Sequence, residues 1–326
     1  MDSLSNVFVT EASRFDGPVL VTGAGGCIGS WALAILTRAG VPVVVLDASE
    51  SKRRPRLLID DPTLDAVPWV VADIADTEAV ERTVAEHRVR AIVHLAALQV
   101  PFCKADPVAG ARANVVGTVN VLESARRHGI RRVAYASSIA AHGADENAPW
   151  LATLYGAYKR CDEMIARVYW QDWQVPSVGM RPGVVYGIGR DQGMTSKTTV
   201  AILAAAAGRD YSVPFRGPTS WLYAGEVASA FVQAVATERE GAAVFDCNGV
   251  PASVEAGLEH LRRLEPAARV EATGSALPFP FDLSDDPLRA YIGDYGRISM
   301  QDGIAETLGA FRALLDAGKV DADSIA

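Results

Sequence analysis

Tyr155, Lys159, Ser138 and a cluster of glycines near the N-terminus have the types and spacing to do chemistry together. Tyr155-Gly-Ala-Tyr-Lys159 opens a stretch of helical periodicity, and positions i and i+4 share a helical face. The Tyr155 phenol and the Lys159 ammonium therefore point the same way, while Tyr158 is rotated aside. A free phenol, with a pKa of about 10, is a poor base at neutral pH, and a neighbouring cation favours its phenolate. Ser138 closes the apolar run Val133-Ala-Tyr-Ala-Ser-Ser138, where a strand tip can hold the oxygen that the phenol deprotonates. A Tyr-x-x-x-Lys alone usually marks an exposed helical face with a half-buried aromatic. Its company makes it a candidate proton relay.

That company is the stretch Val19-Leu-Val-Thr-Gly-Ala-Gly-Gly-Cys-Ile-Gly-Ser-Trp31, a β-type run entering glycines at 23, 25, 26 and 29 and then a helix-forming segment. Gly23 and Gly26 allow a diphosphate to approach the main chain, and Gly29 allows the helix to lie close on the strand. The free amides of the first helical turn and the helix dipole favour phosphate oxygens. The next apolar run ends in Asp47, where a carboxylate accepts hydrogen bonds from the ribose hydroxyls of an adenosine and repels a 2′-phosphate. NAD is the expected cofactor. Arg53 and Arg54, just downstream, keep NADP open.

The elements that must position these groups alternate. Strands are expected at 19–22, 42–46, 69–71, 91–95, 132–136 and 177–181, with helices from about 28 to 39 and over 77–86, 107–128 and 153–173. Repeated βα units build a parallel sheet covered by helices on both faces, with ligands at the carboxyl ends of its strands. The expected fold is α/β, a Rossmann-type doubly wound parallel sheet with a smaller C-terminal substrate-binding domain. Residues 18–186 and 224–247 form the cofactor domain in this reading, 187–223 and 248–318 the substrate domain, and 1–17 an extension. Beyond Gly187 the reading is coarser: a Gly- and Thr-rich loop, helices at about 198–207, 225–237 and 301–316, a strand at 243–246, and Pro-rich segments around 251, 266 and 278–287. Each strand end carries polar or small residues: Asp73-Ile74, His94 to Gln99, Ser137-Ser138 and Arg181-Pro-Gly183.

Composition narrows the alternatives. A net charge of −8 with no basic cluster longer than Lys52-Arg-Arg54 argues against nucleic acid as a partner. Cys27, Cys103, Cys161 and Cys247 are scattered and the five histidines isolated, which gives neither a metal site nor a disulfide framework and makes a reducing cytoplasm the expected location. Met1 to Asp16 lacks the apolar core of a signal peptide, and the most apolar run, Val200 to Ala207, is far short of the ~20 residues that span a bilayer.

Seven ordered motifs then carry a resemblance: Thr22-Gly-Ala-Gly-Gly-Cys-Ile-Gly29, Asp73-Ile74, His94-Leu-Ala-Ala97, Asn114-Val-Val-Gly-Thr118, Tyr135-Ala-Ser-Ser138, Tyr155-x-x-x-Lys159 and Arg181-Pro-Gly-Val-Val-Tyr-Gly187. Over about residues 18–316 the chain resembles the extended short-chain dehydrogenase/reductase superfamily, in particular its NAD-dependent sugar epimerase/dehydratase group. The resemblance implies a Ser138, Tyr155 and Lys159 triad. It implies cofactor contacts from Gly23, Gly26, Cys27, Ile28, Gly29, Asp47, Asp73, Ile74, Leu95, Ala96, Ala97, Asn114 and Pro182, besides Tyr155 and Lys159. It also implies a homodimer through the helices at about 107–128 and 153–173.

Two departures bear on the substrate. Nucleotide-sugar 4,6-dehydratases carry an acidic pair after the strand-five hydroxyl residue, whereas Ser138 is followed by Ile139-Ala140. Members that bind nucleotide sugars usually show Arg-Asp-Tyr before the helix starting near Glu226, and here that segment aligns with Thr219-Ser-Trp221. A diphosphate thereby loses a bidentate partner, unless Arg190, Lys197, Arg209 or Arg216 substitutes. The expected function is an NAD-dependent oxidoreductase acting on a secondary hydroxyl of a small sugar-like, polyol or hydroxy-acid substrate. Gln99, Ser138, Ala140, Tyr155, Arg190, Thr195 and Ser196 are its candidate substrate contacts. The alternatives are a nucleotide-sugar 4-epimerase with tightly held NAD and a non-catalytic NAD-sensing module.

Overall fold

The computed structural model describes residues 7–322. In chain order its elements are β1 (Val19–Thr22), α1 (Cys27–Arg38), β2 (Val43–Asp47), α2 (Asp61–Asp65), β3 (Trp69–Val71), α3 (Thr77–Glu86), β4 (Ala91–His94), α4 (Val100–Ala105), α5 (Pro107–Ala111), α6 (Gly117–His128), β5 (Val133–Ala136), α7 (Leu154–Trp173), β6 (Ser177–Pro182) and β7 (Val185–Tyr186). There follow α8 (Lys197–Ala206), β8 (Tyr211–Phe215), β9 (Pro218–Tyr223), α9 (Ala224–Val235), β10 (Ala242–Cys247), β11 (Val250–Ser253), α10 (Val254–Leu264), β12 (Val270–Ser275), α11 (Asp286–Ile292) and α12 (Met300–Asp316).

Seven strands make one parallel sheet in the order β10-β6-β5-β4-β1-β2-β3. Side chains alternate across it with the period of two that strand geometry imposes. Val19, Val21, Val43 and Val45 face α1 and α9 in one core, while Leu20, Val44, Leu46 and Ile92 face α3, α6 and α7 in the other. Both faces are covered, which is why the strand sequences are almost wholly apolar. The α/β fold expected from sequence is thus the one observed.

The differences have local causes. The helix expected over 107–128 is broken: Asp106 caps α5, and a π-helical turn at Arg112–Val116 separates α5 from α6. Asn114 lies in that turn, its Nδ2 donating to the carbonyls of Gly110 (2.9 Å) and Leu98 (3.1 Å). Residues 211–223, despite Pro214, Gly217 and Pro218, form two strands. Pro214 in β8 points outward while Val213 and Phe215 are buried, a position in which proline is tolerated. α10 was hidden among prolines, yet Val254, Gly257, Leu258 and Leu261 give it a buried stripe at helical spacing, and Ser253 caps it. Gly257 is required there, since a Cβ would stand 2.0 Å from the Trp221 ring.

Residues 1–6 of the expected extension lie outside the described residues. The remainder is a strap on the core. Phe8, 1% exposed, stacks on Tyr223 with ring centroids 5.8 Å apart and packs against Gly225 and Gly296. Arg14 donates to Gln233, and Arg132 donates to the Arg14 carbonyl (3.1 Å) and to Asp16 (3.0 Å). Truncating a buried phenylalanine costs about 3–5 kcal/mol in transfer and cavity energy. Phe8→Ala is therefore expected to lower the thermal midpoint by several degrees in calorimetry; an unchanged midpoint would mean that the strap is detached in solution.

Candidate active site

The carboxyl ends of β1, β2, β4, β5 and β6 open onto a cavity of about 550 Å³. At its floor β1 turns at Gly23, whose φ of +72° and whose neighbour, the Ala96 amide 2.7 Å from a would-be Cβ, admit no other residue without strain. Gly29 lies equally close, with 2.3 Å from a Cβ to the Gly23 carbonyl oxygen. The N-cap of α1 is Gly26, which has no side-chain capping bond, so the first-turn amides face the cavity free to meet an anion. Asp47, at the tip of β2, accepts from the amides of Gly25 (2.9 Å) and Ser49 (3.1 Å).

The end of β4 is fixed by a sealed network. Thr118 gives its one hydroxyl hydrogen to an oxygen, the Asn114 carbonyl at 2.7 Å, and so must accept from His94 Nε2 at 3.2 Å. His94 Nδ1 then accepts from the Thr22 hydroxyl at 2.8 Å, and Thr22 Oγ1 in turn accepts the amides of Leu95 and Ala96. Burial, with the Lys159 charge adding to it, pushes the His94 pKa down to about 3, so the imidazole is a neutral bridge. A second neutral group is Cys27. A thiol at a helix N-terminus is ordinarily acidified, but burial outweighs the helix and Arg190 and pushes it up to about 11.

Ser138, Tyr155 and Lys159 share the opposite wall. Thr153 caps α7 by accepting the Gly156 amide at 2.9 Å, and a Cβ at Gly156 would meet the Ala140 carbonyl oxygen at 2.3 Å. Glycine there lets the first turn of α7 press onto the 3-10 turn (Ile139–Ala144) that Ser138 caps, bringing the phenol to the serine's side. Lys159 Nζ lies 6.0 Å from the Tyr155 ring centroid. Arg190 reaches in from the loop after β7. Its Nη2 donates to Thr195 Oγ1 at 3.0 Å and its Nε is buried without a partner.

Leu95, Ala97, Gln99, Ala140 and Pro182 also line the cavity, as do Ile28 and the two neighbouring candidates of the glycine turn, Cys27 and Gly29. Five candidates do not. Asp73 is exposed at the end of edge strand β3 and accepts the Ala75 amide. Ile74 is buried against Gly117, and Ala96 presents its amide to Thr22. Asn114 is sealed in the π turn, and Ser196 spends its hydroxyl on the Gly193 carbonyl. Phe279, from a Pro-rich segment, lines the cavity although nothing local in the sequence signals it. Arg53 and Arg54 are clasped to Asp191, Arg54 through Nε at 2.7 Å, and Arg54 Nη1 also donates to the Gly25 carbonyl at 2.9 Å. Among the described residues no cluster of side chains could hold a metal ion.

The profile of the family described as NAD dependent epimerase/dehydratase matches residues 19–247. The chain belongs to the NAD-dependent epimerase/dehydratase family. A UDP-glucose 4-epimerase of Mycolicibacterium smegmatis is 29% identical over 316 residues, covering 90% of this chain and 98% of that protein. The UDP-glucose 4-epimerase of Azospirillum brasilense is 34% identical over 167 residues, 49% of this chain and 46% of that protein, so that match spans under half of its length. Among solved structures, the UDP-glucose 4-epimerase of Thermus thermophilus in complex with NAD superposes with a TM-score of 0.75 at 26% identity, covering 90% of this chain and 99% of that one. An L-threonine dehydrogenase from Clostridium difficile shares the fold, with a TM-score of 0.78 at 18% identity over 91% of this chain and 98% of that one. This chain is accordingly an enzyme of the NAD-dependent epimerase and dehydrogenase type.

Its residues suit the family's cofactor: an uncapped helix N-terminus, a glycine whose Cβ space is filled, and a carboxylate beside them. In this family member Gly23→Ala should weaken NAD binding at least tenfold by fluorescence titration, because the new methyl group collides with the Ala96 amide. Undiminished affinity would remove the glycine turn from the cofactor site.

Proposed function

We propose that this enzyme oxidises a secondary hydroxyl of a small sugar-like, polyol or hydroxy-acid substrate, with NAD bound along the glycine turn of β1 and α1. The observation that carries the reading is that Ser138, Tyr155 and Lys159 line the same cavity as the uncapped end of α1. Gly23, Gly26 and the first-turn amides of α1 would hold the diphosphate, Asp47 the adenosine ribose, and Lys159 the nicotinamide ribose. NAD supplies the hydride acceptor when bound. Ser138 holds the substrate oxygen and Tyr155 takes its proton, with the Lys159 ammonium 6.0 Å from the Tyr155 ring centroid.

The pocket supports a small substrate. Ile139 and Ala140 are buried behind Ser138, so no acid stands there to expel water. Thr219, Ser220 and Trp221 are buried in β9 and offer no cation to a diphosphate, and Arg216 is exposed in a pair with Glu255. Arg190, with no carboxylate of the described residues within 4 Å and its Nε unpartnered, suits a hydroxy acid whose carboxylate it would pair with. In this reading residues 187–223 and 248–318 cover the substrate, while 18–186 and 224–247 hold the cofactor.

The full-length likeness to a UDP-glucose 4-epimerase favours a second reading, a nucleotide-sugar 4-epimerase that retains its NAD. Purified protein separates the two. Net NADH from free polyols, aldoses or hydroxy acids supports the dehydrogenase, and interconversion of UDP-sugars without added NAD supports the epimerase. Under either reading Tyr155→Phe should lower kcat by at least about a thousandfold while leaving NAD affinity within twofold. Retained turnover would refute the proton-transfer assignment.

We also infer a homodimer in the cytoplasm. Met164 (62% exposed), Val168 and Val116 leave an apolar stripe on α7 and the turn before α6, and the four thiols are free, as in a reducing compartment. No helix among the described residues is long and apolar enough to cross a membrane. Light scattering should give twice the chain mass, and Met164→Glu should return it to one; a monomeric wild type would end the inference.

A further inference from the structure

One turn beyond Lys159 on α7, a second ionisable side chain is sealed beside it. Asp162 Oδ2 lies 3.2 Å from Lys159 Nζ, with 2% of the lysine side chain exposed and none of the aspartate's. No other carboxylate of the described residues lies within 4 Å of Nζ. The proton relay above gives Asp162 no task. Its surroundings are otherwise balanced. On its own helix Glu163 is neutralised by Arg181 of β6 and by Arg160, and the Cys161 thiol is raised by burial. From β4 comes neutral His94, from α4 the Cys103 thiol raised by burial, from β5 the Tyr135 phenol raised by burial, and from α6 the Thr118 hydroxyl. Lys159 and Asp162 are left as each other's counter-charge.

An ammonium buried without a counter-charge sheds its proton, since the interior penalises the charged form. A neutral amine at position 159 would exert no cationic field on the Tyr155 phenol. Asp162 subtracts from that field, but it lies about two turns from Tyr155, roughly 10 Å along the axis, with the ammonium between them, so the positive end of the pair faces the phenol.

We propose that Asp162 is a positioning residue for proton transfer: the counter-ion that keeps Lys159 charged and aims its remaining N–H bonds at the cavity, acting on Tyr155 only through Lys159. The proposal rests on the roles given above to Tyr155 and Lys159. Asp162→Asn removes the charge at nearly constant shape, and Asp162→Ser does so with a smaller side chain should the first variant fail to fold. In protein labelled with ε-13C lysine, the Lys159 resonance, assigned by its loss in Lys159→Arg, should sense in the wild type the ionisation of Asp162, whose carboxyl burial pushes up to about 6, and should move at pH 7 toward the shift of a neutral amine in either variant. The acidic limb of kcat/KM should move up by at least about one pH unit, with kcat at pH 7 falling tenfold or more. A limb that stays or moves down, or a Lys159 resonance that keeps the shift of a charged ammonium at pH 7 in both variants, overturns the proposal. The resonance reports without turnover. If Tyr155→Phe retained activity, the parent reading would fall while Asp162 was still judged on the lysine itself.

Discussion

The placement of the whole site hangs on the carboxylate of Glu163. It is 4% exposed and accepts two bonds from Arg181 on β6 at 2.7 Å each, one from Ser137 at the end of β5 at 2.5 Å, and one from Arg160 at 2.9 Å. Burial works against its ionisation, but the Arg181 and Ser137 bonds win and hold the carboxyl below its usual range. Such a buried pair adds little net stability over an apolar substitute, whereas removing one partner is expensive, typically about 3–5 kcal/mol in other proteins. Its value is positional. Two turns ahead of Glu163 on the same helix stands Tyr155, and immediately after Ser137 stands Ser138, so one carboxylate sets the distance between the phenol and the serine hydroxyl.

What could be read from the residues alone was whatever is encoded locally. The glycine turn, the acid closing β2 and the i, i+4 relation of Tyr155 to Lys159 are short-range patterns, and strand periodicity placed each at the edge where it is found. Capping was equally local: Thr153 and Ser253 are small hydroxyl residues at the starts of α7 and α10. For α10 the signal was present but outweighed by neighbouring prolines.

Contacts between distant segments were not legible. Phe8 finding Tyr223, Phe279 reaching the cavity, and Asp191 pairing with Arg53 and Arg54 each depend on how the completed sheet brings loops together. Those arginines line the cavity and also tie the loop after β7 to the glycine turn. Asn114 lies in a π turn that the helical periodicity of 107–128 does not signal, and that turn directs its Nδ2 into backbone carbonyls. Asp162, three positions after Lys159, carries no sequence signal of its own, because charge on a helix is ordinarily solvated and only the packed structure buries this one.

β10 returns from the C-terminal half to pair with β6 along its full length, in parallel and at the sheet's edge. The segments on either side of it, which carry Arg190 and Phe279, are therefore woven through the dinucleotide scaffold and not appended to it. No single cut in the chain separates the two. Grafting the specificity of one relative onto another would require exchanging two pieces at once around an untouched strand, and a one-junction chimera would leave that strand facing a foreign neighbour.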